Sequence, residues 1–310
     1  MIAILIPFLL VTRLSVDENT WKNGPEYTFQ VSVNSTAKIR RHEGLYTGSR
    51  MKSNLKCQPK GTSTLSCHLE GPEMTNLESY ISEGTRVVTY ESSETLDIGE
   101  EAFEMNFDRN GVESLLVDKS VSPWTLGIIR LIAGQLHVGA DLANRPDGVF
   151  EDREVGYAGD CATTFDITRY ACDRVGSSES WEKPDFVLVL PDVVVPEGNV
   201  LEIEKTRHMD RCRYRSDYVF GSDRDFEADP DKVNVNVNYS ESRISISDDT
   251  FVSTSTTEAV MKGMKRNKKY MITDEIMVTL IGVEAAADAP PTISDPTVVP
   301  VVPVVLLDSL

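Results

Sequence analysis

The chain has 310 residues, 40% of them hydrophobic, and a formal net charge of -18. That length and apolar content suit one large all-β domain, or two smaller ones, with a sizeable core. The negative charge excludes a general nucleic-acid binder, because such a chain repels phosphate on average.

Residues Met1–Val11 read MIAILIPFLLV, the apolar length of a secretory signal peptide. Residues 1–16 are therefore expected to be a leader and the protein to be secreted. Arg13 stands where small residues are preferred and no basic stretch precedes the apolar run, which leaves a buried amino-terminal strand as the alternative. From Trp21 to Ile39, Tyr27, Phe29, Val31 and Val33 alternate with Thr28, Gln30 and Ser32, the period of a half-buried strand. Gly44–Glu70 gives two further strands with Gly61 near their turn. Cys57 and Cys67 lie symmetrically about Thr62, so a hairpin would set them face to face and allow a cross-strand disulfide, two unpaired thiols being the other reading.

Thr85–Tyr90 reads as a strand and Ser92–Glu101 as an acidic connection. Phe103–Phe107 and Val112–Val117 flank the turn pair Asn110-Gly111. The stretch Pro123–Leu142 then carries apolar side chains at Leu126, Ile128, Ile129, Leu131, Ile132, Ala133, Leu136 and Val138, with almost no polar face at helical period. A helix apolar nearly all round is buried. Ser122 and Pro123 fit its start and Gly139 its end. At roughly 14 to 16 residues it is too short to cross a bilayer.

Asp141–Asp160 reads as an exposed acidic connection, Ala162–Thr168 as a strand, Asp173–Pro184 as a loop and Phe186–Leu190 as a short apolar run. Asn199–Thr206 and Tyr214–Phe220 read as two strands joined by a turn at His208–Arg211. After the loop Asp223–Asp231, the segments Val233–Tyr239, Ser242–Ser247, Thr250–Thr257 and Ile276–Ile281 are strand-like. Residues 284–310 are rich in Pro and Val without periodicity and read as a linker or tail. The pattern is mainly β, with antiparallel sheet wrapped around one buried helix.

Five cysteines occur, Cys57, Cys67, Cys161, Cys172 and Cys212, and none forms a CxxC pair. In an exported protein two disulfides and one odd thiol are expected. Asn34 and Asn238 begin glycosylation sequons. No P-loop, GxGxxG, GxSxG or HExxH motif is present, and no enzyme activity, cofactor or metal is expected. The four histidines, His42, His68, His137 and His208, are not at ligand spacing, and His137 is expected to be a satisfied or edge-facing residue. Carboxylates alternate at Asp223, Asp225, Glu227, Asp229 and Asp231, but Ala228 and Asn234 stand where a calcium loop needs Gly and Glu, so this is a solvated acidic loop.

Two basic clusters stand against the acidic background: Lys205, Arg207, Arg211, Arg213 and Arg215, and Lys262, Lys265, Arg266, Lys268 and Lys269. They are solvated faces, or else contacts for an acidic receptor or anionic lipid headgroups.

Several stretches together resemble the vitellogenins and other large lipid transfer proteins. They are Trp21–Phe29, Phe103–Leu142 (with Trp124, Ile128, Ile129, Gln135 and Leu136), Gly159-Asp160-Cys161 with Phe165-Asp166-Ile167, Leu201–Gly221, Ser242–Ser247 and Phe251–Thr257. The resemblance runs over roughly residues 20 to 282. It implies an amino-terminal antiparallel β-barrel, the N-sheet, over residues 17–283 and wrapped around the central apolar helix, and a disulfide Cys161–Cys212. It also implies yolk lipid transport and contact with an LDL-receptor-type receptor whose acidic, calcium-built pockets grip Lys and Arg. The basic clusters are the candidates for that contact. Longer relatives continue into helical and lipid-cavity domains, so lipid is expected as a partner only together with such domains. A small-lipid-binding barrel acting alone is the alternative; a helix filling the interior argues against it.

Overall fold

The computed structural model describes residues 22–39, 46–82, 86–95, 101–142, 145–171, 199–216, 220, 234–247, 250–262 and 269–302. The leader, Cys172, the run Phe186–Leu190, the acidic loop Asp223–Asp231 and the basic residues Lys265, Arg266 and Lys268 lie outside them. Among the described residues, thirteen strands and one helix follow in chain order: β1 (Pro25–Ile39), β2 (Tyr46–Pro59), β3 (Thr64–Ser82), β4 (Arg86–Thr95), β5 (Phe103–Asp108), β6 (Gly111–Asp118), α1 (Pro123–Gln135), β7 (Gly148–Gly156), β8 (Gly159–Ala171), β9 (Asn199–Arg215), β10 (Asn234–Ile246), β11 (Phe251–Lys262), β12 (Lys269–Ala285) and β13 (Pro296–Pro300).

The strands join in one antiparallel sheet ordered β13-β6-β5-β3-β2-β1-β12-β11-β10-β9-β8-β7, with β4 added beside β3. The long middle strand β1 pairs with β2 on one side and β12 on the other. Its alternation puts Tyr27, Phe29, Val31 and Val33 into the interior, where Phe29 meets Phe251 edge to face at 5.9 Å. Against this face lies α1, which packs on β11 and β12. Ser122 caps it, its hydroxyl accepting from the amide of Thr125 at 3.0 Å, and Pro123 opens the first turn. Ile128, Ile129, Leu131, Ile132 and Leu136 are buried in the main core and Leu126 packs against it.

Several expectations are corrected. The sheet is not closed into a barrel: among the described residues β13 and β7 are its two ends, with no ladder between them. Instead, the segment leaving α1 bridges the two margins. The amide of Gly139 donates to the carbonyl of Asn110 in the β5–β6 turn at 2.6 Å, while a Cβ placed on Gly139 would stand 2.8 Å from Glu154 of β7. The helix therefore stops at Gln135, not at Gly139, because His137 and Gly139 are used for this bridge. The stretch Asp141–Asp160, expected to be an exposed connection, holds β7, with Glu154 buried. The expected turn at His208–Arg211 is absent, and β9 runs straight through it. Val233–Tyr239 and Ser242–Ser247 fuse into β10 across a bulge at Val237/Tyr239. Part of the Pro/Val tail returns to the sheet as β13, pairing with β6 and placing Val301 in the core.

Candidate functional site

In β9 the side chains of Leu201, Ile203, Lys205, Arg207 and Met209 point inward in strict alternation. By period alone Arg211, Arg213 and Arg215 would follow them. They do not, because β8 and β9 slip register around Cys161: Thr163 faces Arg207, but Cys161 faces Cys212. The extra residues of β9 in this irregularity reverse its faces. Arg211, Arg213 and Arg215 are thereby exposed, whereas Lys205 is 0% and Arg207 5% exposed. Lys205 and Arg207 are thus withdrawn from the set of surface contacts.

The buried pair is gathered around Glu154. Lys205 Nζ donates to Glu154 Oε1 at 2.9 Å and to the carbonyl of His137 at 2.8 Å. Arg207 donates to the same Glu154 oxygen at 2.8 Å and to the hydroxyls of Ser240 and Ser242 at 3.2 and 2.8 Å. Thr163 donates to the second Glu154 oxygen at 3.2 Å, and the Arg207 guanidinium lies 5.4 Å from the centroid of the Tyr157 ring. Burial pushes the Glu154 carboxyl up, but Arg207 and Lys205 pull it further down, and it ends well below the usual carboxylate range. Burial takes the Lys205 ammonium down to about 8 against the pull of Glu154. His137, Nε2 4.0 Å from Glu154, is neither edge-facing nor satisfied: it is buried, and among the described residues neither ring nitrogen has a hydrogen-bond partner; burial with the Lys205 charge beside it brings its imidazole to about 4.

The ionic cluster ends a polar level that crosses the inner face of the sheet. Ser35 of β1 donates to Asp274 of β12, and Tyr157 and Thr257 share a hydrogen bond at 3.3 Å. Gln135 of α1 donates to Ser255 at 2.7 Å and accepts from Ser253 at 3.1 Å. On one side of this level lies the main core; on the other a smaller cluster of Cys161, Met209, Val237, Ala259, Met261 and Ile272. Glu154, Thr163, Ser240 and Ser242 were not singled out from the sequence. Their signal is weak, since FEDREVG shows no apolar alternation.

The exposed arginines meet partial partners. Arg211 forks onto both oxygens of Glu151 at 2.6 Å, Arg213 stands 3.8 Å from Asp160, and Arg215 donates to Asn236 at 3.2 Å. In the second cluster, Lys262 of β11 and the exposed Lys269 of β12 stand opposite each other in register. Both expected disulfides are formed, Cys57–Cys67 between β2 and β3 and Cys161–Cys212 between β8 and β9. Asn238 is exposed, whereas Asn34 is half-buried in β1 and accepts from Arg50 at 3.2 Å. Among the described residues, no group of His, Cys, Asp and Glu could hold a metal ion, and no helix is long and apolar enough to cross a membrane.

Comparison with known proteins places this arrangement. Residues 21–287 match the model of the vitellogenin N-terminal domain. The chain is 21% identical to a vitellogenin of Anthonomus grandis over 311 aligned positions, covering 92% of this chain and 17% of the relative. It is 20% identical to vitellogenin-A1 of Aedes aegypti over 219 positions, covering 66% of this chain and 10% of that one. The chain thus spans less than a fifth of the length of these relatives. A solved structure of lipid–protein interactions in lipovitellin superposes with a TM-score of 0.56 at 12% identity, covering 89% of this chain and 27% of that one, a likeness of fold. With its family model matched along most of its length, the chain belongs to the vitellogenin N-terminal domain family.

Proposed function

We propose that this chain is the amino-terminal, partner-recognising module of a secreted lipid-transport and yolk protein, and that it binds an acidic LDL-receptor-type receptor rather than holding bulk lipid itself. The observation that carries this reading is the row Arg211, Arg213 and Arg215, three guanidinium groups two residues apart on one exposed strand face of a strongly acidic protein. Guanidinium groups suit carboxylate-rich pockets because they present a fixed fork of donors. The segment 262–269, with Lys262, Lys265, Arg266, Lys268 and Lys269, is proposed as a second contact, since it gathers five cations within eight residues of a strongly acidic chain. Lipid joins as a partner only through further domains of such a protein. The sequons at Asn34 and Asn238 fit an exported chain, and Asn238 is the exposed one. The role is one of binding, not catalysis. The buried helix speaks against a small-lipid barrel acting alone, because it occupies the space a ligand would need.

The test is surface-plasmon binding of the full chain to calcium-loaded LDL-receptor-type repeats at varied ionic strength. Reversing Arg211, Arg213 and Arg215 to Glu should weaken binding at least about tenfold and flatten its salt dependence. The melting temperature should stay nearly unchanged for Arg213 and Arg215. The Lys265/Arg266/Lys268/Lys269 reversal should act in the same direction. Unchanged affinity in both sets would remove the basic faces from the role.

A further inference from the structure

The edge strand β7 carries a regular pattern on its outer face. Among the described residues it pairs only with β8. The two-residue turn Tyr157-Ala158 closes on the pair Gly156 and Gly159, so the even-numbered residues of β7 turn their amides and carbonyls toward β8. The odd-numbered residues Val149, Glu151, Arg153 and Val155 turn theirs to the open edge. Their side chains also share the outer face of the sheet, with Val149 68% and Val155 52% exposed. The edge is held rigidly from within: Phe150 stacks on Phe165 with ring centroids 5.0 Å apart, and Glu154 is fixed by Lys205 and Arg207.

Read outward, the face is Val-Glu-Arg-Val. Run antiparallel to a copy of itself and centred on Asp152, it sets Val149 opposite Val155 and Glu151 opposite Arg153, each twice. Those are the residues whose backbone groups face the edge, so side-chain and main-chain complementarity coincide in one register. Moving the centre to Glu151 or Arg153 would oppose like charges, so that register alone satisfies both. On the inner side Asp152 meets its own copy, with Arg145 3.9 Å away to offset the repulsion. At the opposite end of the sheet β13 has five residues and a proline at each terminus, which removes donors.

We propose that β7 is a dimerisation edge, on which a second copy of this chain adds its own β7 antiparallel about a two-fold axis at Asp152. The pairing is isologous and closes after one step, so it yields a dimer and not a fibre. Glu151 keeps its fork to Arg211 and Arg153 its bond to Asp160, because each group has acceptor or donor positions left for the second copy.

Sedimentation velocity on the full chain, through the micromolar range, tests this. The expected result is a reversible monomer–dimer equilibrium. Glu151→Arg and Arg153→Glu should each raise the dissociation constant at least about tenfold, since each sets like charges opposite one another. Mixed in equal amounts, the two variants should dimerise again, because every pair across the axis is then of opposite sign. Val149→Lys, which leaves the internal ion pairs untouched, should also give monomer, and it serves if loss of the Arg211 contact unfolds Glu151→Arg. A wild-type chain that stays monomeric, a Val149→Lys chain that dimerises like wild type, or a mixture of folded charge variants that stays monomeric would overturn the proposal.

Discussion

The Nζ of Lys205 stands 2.9 Å from Oε1 of Glu154, and neither side chain meets solvent. One carboxylate here serves two buried cations, because Arg207 shares the same oxygen. Removing one partner of a buried ion pair costs far more than the pair contributes, since the remaining charge stays desolvated.

Glu154→Gln should therefore destabilise the protein by about 3 to 5 kcal/mol, since it leaves both Lys205 and Arg207 without a counter-charge. Lys205→Met should cost less, because Glu154 and Arg207 remain as a one-to-one pair and only the carbonyl of His137 loses its donor. Urea unfolding of the two variants checks the order. A Glu154→Gln midpoint equal to wild type would show that the cluster is wet.

His137 gives the same region a pH dependence. Its imidazole is near 4 in the fold against 6.5 in the open chain, so the unfolded state takes up the proton first as pH falls. The folded pKa is depressed, and the contribution is complete above pH 6.5 and lost as pH falls towards 4, amounting to about 3 kcal/mol. Glu154 and Glu151 are also depressed, but from an ordinary carboxyl value of 4.5, so their losses come lower in pH. Between 6.5 and 4.5 the slope thus belongs chiefly to His137, and His137→Gln should flatten it. Urea midpoints taken across that window provide the measurement, and an unchanged slope in the variant would contradict the burial of a neutral imidazole.

What the sequence reveals and hides about this fold follows from where each signal resides. The helix was legible because Ser122, Pro123 and an all-round apolar run are local features. The Cys57–Cys67 bridge was legible because symmetry about a turn is local too. The division of the β9 basic residues was not. Lys205, Arg207, Arg211, Arg213 and Arg215 share one period, and only the slip against β8 sends two inward and three outward. Glu154 was hidden for a related reason: a carboxylate in an acidic stretch reads as solvated until the cations that neutralise it are placed beside it by non-local pairing. Closure of the sheet was overestimated because strand count does not determine whether the end strands meet.

Gly139 links the helix exit to this cluster. Its φ is +92°, and an added Cβ would lie 2.8 Å from the Glu154 side chain. Gly61 has a similar φ of +78° with nothing within 4 Å. Gly61→Ala should therefore cost only the backbone term, about 1 kcal/mol, whereas Gly139→Ala should cost that and also displace Glu154 from Lys205, for a total above about 2 kcal/mol. Equal losses in thermal unfolding would indicate that the exit segment does not press on the cluster.

The two disulfides should differ in weight. Cys57–Cys67 spans 10 residues of sequence and Cys161–Cys212 spans 51. In the chain-entropy view the longer loop restrains the unfolded chain more, about 4 kcal/mol against about 3. Cys161–Cys212 also clamps β8 to β9 where their register slips, so it fixes which arginines face outward. The pair Cys161→Ser/Cys212→Ser should lower the urea midpoint more than Cys57→Ser/Cys67→Ser. It should also raise amide hydrogen exchange locally in residues 207–215, while leaving β1 and β2 protected. Exchange that rises evenly over the whole sheet would mean that the clamp stabilises the domain without holding the register.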